Sequence, residues 1–428
     1  MSTTQSDLSS TASGSASTRS VTGNAMNVSF FATPYRHAAG SPIRALFPYM
    51  SRPGMISFAG GMPDPALFDR DGLQRAHEKA WSNPSACLQY GPTDGLPSLR
   101  AALAAVMRSR GVACDDGDIM VTAGSQQGLD LLLRVMVDPG DVILVEQPAY
   151  PATLQAIRLA QGRIIPVAVD ADGLDVDALS EQLACWDDRL SEPKALYTVP
   201  TFSNPSGLTM SRARRVALLE LAVKHRLLLI EDDPYSGLRF AGEAQPSLLA
   251  LAQDVPGARD LIVHFSSLSK ILAPGMRVGW MLAPAEIMRR CSIARQTVDL
   301  CGPGWMQAVA AAYLEGDTFA AHLPNIIASY RAKCDALANG LAESLGEQLT
   351  FARPQGGMFL WGRFAQGIDA AVVLKAAIEH GVMFVPGEAF YASNADASAV
   401  RLSFATPTLE QIGEGTKRLA QAVSSVAD

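Results

Sequence analysis

The sequence predicts an α/β protein that has a large domain, built on a mainly parallel sheet, and a smaller α+β domain. Its 428 residues are 48% hydrophobic and 18% charged, which is enough apolar material for a substantial core. Short apolar runs alternate with helical patterns from about residue 97 to residue 285, and this alternation is typical of parallel sheets. Beyond residue 307 the alternation stops, which predicts a second and smaller unit.

The elements of the large domain are predicted in chain order. A helix is expected between Pro97 and Gly111, because these residue types suit a helix start and a helix stop. Its apolar side chains repeat on one face, at Leu99, Leu103, Val106 and Met107. A further helix is expected over 211–226, and buried strands over 118–124, 141–148, 163–169, 195–200, 226–233, 261–267 and 277–282. Because such sheets bind ligands beyond the carboxyl ends of their strands, the residues after each strand form the candidate site.

The smaller domain is predicted from a long helical pattern and two strand-like runs. The helix spans 318–346, the strand-like runs 356–364 and 400–406, and a second helical run lies at 369–381. The predicted organisation is a disordered tail over 1–27, an N-terminal arm over 28–65, a large domain over 66–306 and a small domain over 307–428. Serine and threonine dominate the tail without any apolar periodicity, which is the reason to expect disorder there.

The composition argues against several classes of function. The net charge is −7 and no basic stripe stands out, so nucleic acid and anionic membranes are poor partners. The six cysteines and six histidines are scattered without the spacing of a metal or redox site. We therefore expect no metal, reduced thiols and a cytoplasmic location. The tail lacks the apolar segment of a signal peptide, and no apolar run approaches the length of a membrane span.

Polar residues follow the first two strands of the predicted sheet. Ser125 and Gln126 open a helix directly after 118–124, where free backbone N–H groups would bind an anion such as a phosphate. Tyr150 follows 141–148 and offers a flat ring for stacking. Taken singly, Ser125 and Gln126 are also compatible with an ordinary turn between a strand and a helix. Tyr150 is also compatible with an aromatic residue packed at the surface.

Polar residues follow the later strands as well. Asn204 supplies an amide in the turn after 195–200, although that turn could be a plain loop. Asp232 ends an apolar strand, where a carboxylate must be paired, while Asp233 suits a helix N-cap before a proline, and Tyr235 follows. Lys270 lies among serines after 261–267, where a lysine suits a Schiff base to a carbonyl or a phosphate site.

One ligand satisfies all of these side chains, namely pyridoxal 5′-phosphate (PLP). A lysine Schiff base together with an aspartate partner for the ring nitrogen is typical of this cofactor. The matches are the phosphate with Ser125, Gln126, Ser267, Ser269 and Arg277, the ring face with Tyr150, the ring nitrogen with Asp232, the ring hydroxyl with Asn204 and Tyr235, and the aldehyde with Lys270.

The motifs and their order resemble the class I/II aminotransferases of fold type I. The cofactor-lysine segment is SSLSKILAPGMRVGW at 266–280, and LQYGPTDGLPSLR, VTAGSQQGLDLL, YTVPTFSNPSG, EDDPYSGLRF and VRLSFAT occur in the family's order. Over roughly residues 40–425 the sequence motifs are most similar to those of the 2-aminoadipate and kynurenine aminotransferase branch. The resemblance implies transfer of an α-amino group between a 2-aminoadipate-like, aromatic or kynurenine-like amino acid and a 2-oxo acid, by default 2-oxoglutarate, in ping-pong half-reactions.

The resemblance also implies a role for each matched residue. Lys270 forms the internal aldimine and then moves the proton between the substrate's α-carbon and the cofactor. Asp232 keeps the ring nitrogen protonated, and Tyr150 stacks on the ring. Arg401, in VRLSF, clamps the substrate's α-carboxylate with help from Asn204, because a planar fork suits a carboxylate.

Further implied roles concern a second subunit and the substrate's side chain. Tyr90, in LQYGP, reaches the phosphate of the other subunit, which implies a homodimer with shared active sites. Ser41, Arg44 and Gly61 lie in the N-terminal arm, which lines the substrate pocket and packs with the small domain. Arg44 could pair with a distal carboxylate, swing away to leave an apolar slot, or form a surface or interface ion pair, and the sequence leaves these three readings open.

Two positions depart from the family's pattern. Ser203 stands where relatives commonly carry the larger amide of a Q-N-P-T-G or N-N-P-T-G motif, which could reshape the local hydrogen bonds. Asp69 stands where the branch often has proline. Neither change touches the residues expected to hold the cofactor.

Two other functions share the fold. A β-eliminating PLP lyase would use the same catalytic residues, so the sequence hardly separates it from an aminotransferase. A MocR-type PLP-sensing regulator would carry an N-terminal DNA-binding module, and about 27 residues before the arm are too few for one.

Overall fold

The structure is a computed structural model that describes residues 28–38, 40–187 and 189–427. The tail predicted over 1–27 lies outside the described residues. Internal contacts divide the chain between residues 38 and 39. The first unit contains two short 3-10 turns, Val28–Phe30 and Thr33–Tyr35, and all elements described below belong to the second.

The structure contains a strand at each place where the sequence predicts one. In chain order they are β1 (Ile56–Ser57), β2 (Met120–Thr122), β3 (Val142–Glu146), β4 (Arg163–Val167), β5 (Val169–Asp170), β6 (Gly173–Leu174), β7 (Pro193–Thr198), β8 (Leu228–Asp233), β9 (Ile262–Ser267), β10 (Gly279–Leu282), β11 (Leu349–Phe351), β12 (Phe359–Phe364), β13 (Val382–Met383), β14 (Val385–Pro386) and β15 (Ala399–Ser403).

The helices surround these strands and include each helix predicted from apolar periodicity. In chain order they are α1 (Pro42–Ala45), α2 (Phe47–Met50), α3 (Arg70–Trp81), α4 (Pro84–Leu88), α5 (Pro97–Ser109), α6 (Ser125–Met136), α7 (Pro151–Leu159), α8 (Val176–Ala184), α9 (Arg212–His225), α10 (Leu248–Leu251), α11 (Ala285–Val298), α12 (Gly304–Leu314), α13 (Thr318–Leu345), α14 (Ala370–Glu379) and α15 (Leu409–Ala427). Within the described ranges, none of these helices combines the length and the apolar character needed to cross a membrane.

The large sheet has seven strands in the order β2-β10-β9-β8-β7-β3-β4. The five strands from β9 to β4 pair in parallel, and β10 runs antiparallel to both β9 and β2. The prediction of an α/β fold with a mainly parallel sheet is therefore confirmed. The interiors of the central strands are mostly buried apolar residues, as expected for parallel strands, whereas the edge strand β4 is largely half-buried, and the carboxyl ends of the parallel strands meet at one edge.

A second sheet has four antiparallel strands in the order β11-β12-β15-β14. Arg401 occupies the middle of β15, opposite Trp361 of β12 and Val385 of β14. β1 pairs in parallel with β13, which ties the segment before Gly61 to this part of the chain. The order of the strands thus brings a basic residue of the second sheet close to residues from the start of the chain.

Asp69, one of the two departures from the family's pattern, has a clear structural role. Its carboxylate caps the N-terminus of α3 by accepting the N–H of Gly72 at 2.9 Å. It also accepts the buried hydroxyl of Tyr313 at 2.9 Å. The aspartate therefore stabilises the start of a helix and joins α3 to α12.

Candidate active site

A cavity of about 300 Å³ lies where the carboxyl ends of the parallel strands meet. It contains every residue predicted to hold cofactor or substrate except Tyr90, whose side chain is 79% exposed and lies outside the cavity. The predicted residues that line it are Ser41, Arg44, Gly61, Ser125, Gln126, Tyr150, Asn204, Asp232, Tyr235, Ser267, Ser269, Lys270, Arg277 and Arg401. Residues distant in sequence thus meet where the strand order predicts a ligand.

One end of the cavity has the chemistry of an anion site. The helix α6 begins at Ser125, and N–H groups in the first turn of a helix lack intrahelical acceptors. Arg277 reaches across this turn, and its Nη2 donates to the carbonyl before Gly124 at 2.6 Å. Gly124 has a φ of 78°, which favours glycine, and a Cβ atom there would lie 2.5 Å from that Nη2 and would displace the guanidinium. The buried hydroxyls of Ser267 and Ser269 complete this end, 2.9 Å apart.

Three consecutive acids end the central strand β8, and two of them have complete sets of partners. Glu231 accepts the first two N–H groups of α10, and its carboxylate lies 2.7 Å from Nδ1 of His264. Asp233 accepts the N–H of Ser236 at 3.1 Å and its hydroxyl at 2.7 Å. The prediction that Asp233 caps a helix is wrong in one respect, because the chain continues as a 3-10 turn at Ser236–Leu238, where no α-helix begins.

The middle acid, Asp232, has an incomplete set of partners. Its Oδ2 accepts the hydroxyl of Tyr197 at 2.7 Å, while its buried Oδ1 has no hydrogen-bond partner among the described residues. Burial raises the pKa of Asp232 to about 6. An unpaired carboxylate oxygen in a buried site is costly unless a ligand supplies a donor, and a protonated ring nitrogen is such a donor. The sequence analysis missed Tyr197, which looks like an ordinary strand residue.

Lys270 presents an amine with an unusually low proton affinity. Its Nζ lies 3.2 Å from the carbonyl oxygen of Gly61. Burial lowers the pKa of Lys270 to about 8, with help from the charges of Arg277 and Arg401. At pH 7 the neutral fraction of this amine is about 300-fold higher than for an ordinary lysine. Such an amine is suited to attack an aldehyde and to carry a proton.

Arg401 is a buried cation without a counter-ion. Its side chain is 1% exposed, and its guanidinium donates to Oδ1 of Asn204 at 2.9 Å and to the carbonyl of Ala59 at 2.6 Å. The rings of Phe359 and Phe390 lie 4.3 and 4.9 Å from it. No carboxylate in the described part of the chain forms an ion pair with it, and burial lowers its pKa to about 10. It is therefore poised to accept an anionic group.

The loop that carries Asn204 is fixed by a buried glutamate that the sequence analysis did not single out. Glu146 accepts the hydroxyl of Thr198 at 2.6 Å, the N–H of Val199 at 3.0 Å and the hydroxyl of Ser203 at 2.9 Å. Burial raises the pKa of Glu146. Ser203, the second departure from the family's pattern, is thus one of three donors that hold this loop.

The charges of the cavity favour an anionic ligand. Asp232 is the one carboxylate among its lining residues, against four basic side chains, Arg44, Lys270, Arg277 and Arg401. The cavity fits PLP, because it combines a phosphate-sized anion site, a free carboxylate oxygen for the ring nitrogen and a reactive amine. Ser41 and Arg44 also line the cavity, as do the apolar residues Ile43, Phe47, Met62 and Phe359.

Comparison with known proteins agrees with this geometry. Residues 69–419 match the family model described as aminotransferase class I and II. Aromatic-amino-acid aminotransferase 1 of Thermococcus litoralis is 40% identical over 90% of this chain and 91% of its own length. The 2-aminoadipate transaminase of Thermus thermophilus is 35% identical over 90% of this chain and 94% of its own. The crystal structure of Pyrococcus horikoshii kynurenine aminotransferase, in complex with PMP, KYN as substrates and KYA as products, has a TM-score of 0.87 and 37% identity, covering 93% of this chain and 97% of that one.

Proposed function

The chain belongs to the class I and II aminotransferases, which use PLP, and we propose that it moves an amino group from an amino acid to 2-oxoglutarate in ping-pong half-reactions. The proposed donors are aromatic, kynurenine-like or 2-aminoadipate-like amino acids, the compounds named for its relatives. The observation that carries the proposal is the meeting of three incomplete groups in one cavity. These are the free Oδ1 of Asp232, the low-pKa amine of Lys270 and the unpaired cation of Arg401.

The residues that line the cavity support one position for the cofactor. When bound, PLP supplies an aldehyde that takes up the amino group and a protonated ring that withdraws electrons from the substrate's α-carbon. We assign the phosphate to the start of α6 with the residues around it, and the ring nitrogen to Oδ1 of Asp232. Tyr150 would cover the ring, and Asn204 and Tyr235 would bind its hydroxyl, since the amide and the phenol lie 3.5 Å apart. The phosphate residues are Ser125, Gln126, Ser267, Ser269 and Arg277.

Lys270 is assigned as the residue that would hold the cofactor through its aldehyde and would carry the proton. Its lowered pKa leaves part of the amine neutral at pH 7, so it can accept a proton from the substrate's α-carbon. The neighbouring cations Arg277 and Arg401 oppose a second positive charge, which helps the amine to release that proton again. The carbonyl of Gly61 offers the protonated form a hydrogen bond 3.2 Å away.

Arg401 is assigned as the anchor of the substrate's α-carboxylate. Two of its hydrogen bonds fix the guanidinium, and the remaining N–H groups have no partner in the described residues. The substrate's carboxylate would neutralise the buried positive charge of Arg401. The hydrogen bond to Asn204 fixes the plane of the guanidinium. This orientation decides which bond of the α-carbon stands near the base.

The side-chain pocket is assigned to long substrates that are apolar along their length. Ile43, Phe47 and Met62 supply apolar contacts for a ring or a methylene chain. Arg44 stands in the same wall and is exposed, so it can meet a distal carboxylate or turn toward solvent. The pocket would thus accept both aromatic donors and 2-aminoadipate.

Several features of the sequence remain proposals of the same kind. We propose a homodimer in which the exposed Tyr90 reaches the partner's phosphate site, and an arm over 28–65 with domains over 66–306 and 307–428. We propose a cytoplasmic location, because the cysteines are free thiols.

The proposal is tested by following the visible absorbance of the purified PLP enzyme. Phenylalanine, kynurenine, 2-aminoadipate, glutamate and alanine are added one at a time, followed by 2-oxoglutarate. Loss of the absorbance with the proposed donors and its recovery with 2-oxoglutarate are expected. A lasting absorbance with every donor, or release of ammonia in place of amino transfer, would contradict the proposal.

A further inference from the structure

Tyr197 connects the acid of the site to the next strand of the sheet. We propose that Tyr197 is a positioning residue, whose phenol fixes the orientation and the ionised state of Asp232 and thereby sets the affinity for PLP. The inference rests on the proposed function, because it takes Asp232 as the partner of the cofactor's ring nitrogen. Neither the family resemblance nor the sequence pattern assigns a role to this tyrosine.

The geometry leaves the phenol little freedom. Tyr197 is 1% exposed in β7, and its hydroxyl donates to Oδ2 of Asp232 at 2.7 Å. The parallel register places Tyr197 beside Ile230, two residues before Asp232 on β8. The phenol also has a hydrogen bond to Thr153 of α7, a residue that is likewise 1% exposed. Because the phenol's only hydrogen goes to Asp232, the threonine hydroxyl must be the donor in this bond.

A carboxylate can turn about its last torsion and exchange its two oxygens. Tyr197 holds one oxygen, and the other is the buried oxygen without a partner, on a side chain that lines the cavity. The hydrogen bond also lowers the pKa of Asp232 against the opposing effect of burial. Deleting the phenol therefore has two consequences, a carboxylate that turns freely and one that takes up a proton at higher pH.

Other ionisable groups also surround Asp232, and they remain unchanged when Tyr197 is replaced. On the sheet they are Asp233 of the same strand, His264 of β9 and Glu146 of β3. From the cavity they are Lys270, Tyr150 and Tyr235. A shift confined to the Tyr197 variant can therefore be assigned to the lost phenol.

The test compares Tyr197→Phe with Tyr313→Phe. Tyr313 is a matched control, because it is also 1% exposed and donates to an aspartate, Asp69, at 2.9 Å, but does not line the cavity. The dissociation constant of PLP is measured by titrating the cofactor-free enzyme, and kcat is measured against pH at saturating amino acid. We expect the dissociation constant to rise about 10- to 100-fold in Tyr197→Phe, as for the loss of a charged hydrogen bond.

The acid limb of the kcat profile should move in the same variant by about one pH unit toward higher pH, because activity requires ionised Asp232. KM for the amino acid should change less than twofold, since Arg401 is untouched. Thr153→Val, which removes only the donor to the phenol, should shift both readouts in the same direction by a smaller amount. It also keeps the test decisive if Tyr197→Phe does not fold.

Two results would overturn the inference. The first is a Tyr197→Phe enzyme with the PLP affinity and acid limb of the wild type, and the second is an equal change in Tyr313→Phe. Asp232→Asn separates this failure from a failure of the proposed function. If Asp232→Asn loses PLP affinity and turnover while Tyr197→Phe keeps them, only the role of Tyr197 is wrong. If Asp232→Asn behaves as the wild type, the assignment of Asp232 and the inference both fail.

Discussion

The unpaired cation at Arg401 leads to a prediction that separates binding of the α-carboxylate from every other property of the site. The changes are Arg401→Met, which keeps most of the volume, and Arg401→Lys, which keeps the charge. Of the five N–H donors of a guanidinium, two are used by Asn204 and the carbonyl of Ala59. The others can form a bidentate pair with a carboxylate, which lysine cannot reproduce.

The expected loss follows from the strength of charged hydrogen bonds. Each contributes roughly 1.5–3 kcal/mol, so loss of the two bonds of a bidentate pair in Arg401→Met should cost about 3–6 kcal/mol of transition-state binding, or roughly 150- to 25,000-fold in kcat/KM. Arg401→Lys should lose about one such bond, roughly 10- to 150-fold. The free energy of unfolding without substrate should change little in Arg401→Met, because removing a buried charge offsets the loss of a donor to the oxygens of Asn204 and Ala59.

The measurement is kcat and KM for phenylalanine, kynurenine, 2-aminoadipate and glutamate, with phenethylamine as a substrate that lacks the α-carboxylate. All four amino acids should lose efficiency together, and the preference for phenylalanine over phenethylamine should collapse in Arg401→Met. If kcat/KM falls only for 2-aminoadipate and glutamate, Arg401 binds the carboxylate of the substrate's side chain and the assignment is refuted. A matching loss with phenethylamine would mean that the variant has damaged the cofactor site instead.

Three further predictions concern other groups of the site. Lys270→Ala should abolish turnover while PLP still binds noncovalently, and in the wild type uptake of PLP should accelerate as the pH rises through about 8, as stopped-flow absorbance would show. Ser203→Ala should raise KM for all amino acids about 3- to 10-fold, whereas the control Ser206→Ala, whose hydroxyl accepts only a nearby N–H, should not; equal effects would contradict the loop's role. Glu231→Gln should destabilise the fold by about 3–5 kcal/mol in chemical denaturation, because it removes the negative charge that pairs with buried, protonated His264 and sets an amide N–H₂ group against N–H donors that the carboxylate accepts. The pKa of His264 is raised above 6.5 and that of Glu231 lowered below 4.5, so this loss should be full between pH 4.5 and 6.5 and shrink as the pH rises through the folded pKa of the histidine; a loss that grows with pH would contradict it.

The large sheet could be predicted from the sequence because its strands are continuous apolar runs between helices. The site could be located for the same reason, since Lys270 and Asp232 follow such runs directly. Tyr197 and Glu146 could not be found in this way, because Tyr197 lies within β7 and Glu146 falls inside the run 141–148 that is predicted to be strand throughout. Their partners are set by the register between neighbouring strands, and one sequence does not contain that register.

At Asp233 a local signal predicts the wrong element. An aspartate before a proline predicts a helix N-cap, and its carboxylate does accept N–H and O–H groups three residues on. The chain there is still the end of β8 and leads into a 3-10 turn. The capping chemistry was therefore right and the element wrong, because tertiary pairing of the strand overrides the local preference.

The end of β8 explains how a buried strand can carry three acids in a row. Side chains alternate between the two faces of a strand, so Glu231 and Asp233 share the face turned away from the cavity and Asp232 faces the cavity. On the first face both carboxylates are complete, since His264 pairs with Glu231 and Arg110 lies 3.8 Å from Asp233. The cost of burying an incomplete carboxylate is thus confined to one oxygen of one residue. That oxygen belongs to the side chain that lines the cavity, so we expect binding of a cationic ring nitrogen to restore the free energy lost in the cofactor-free protein.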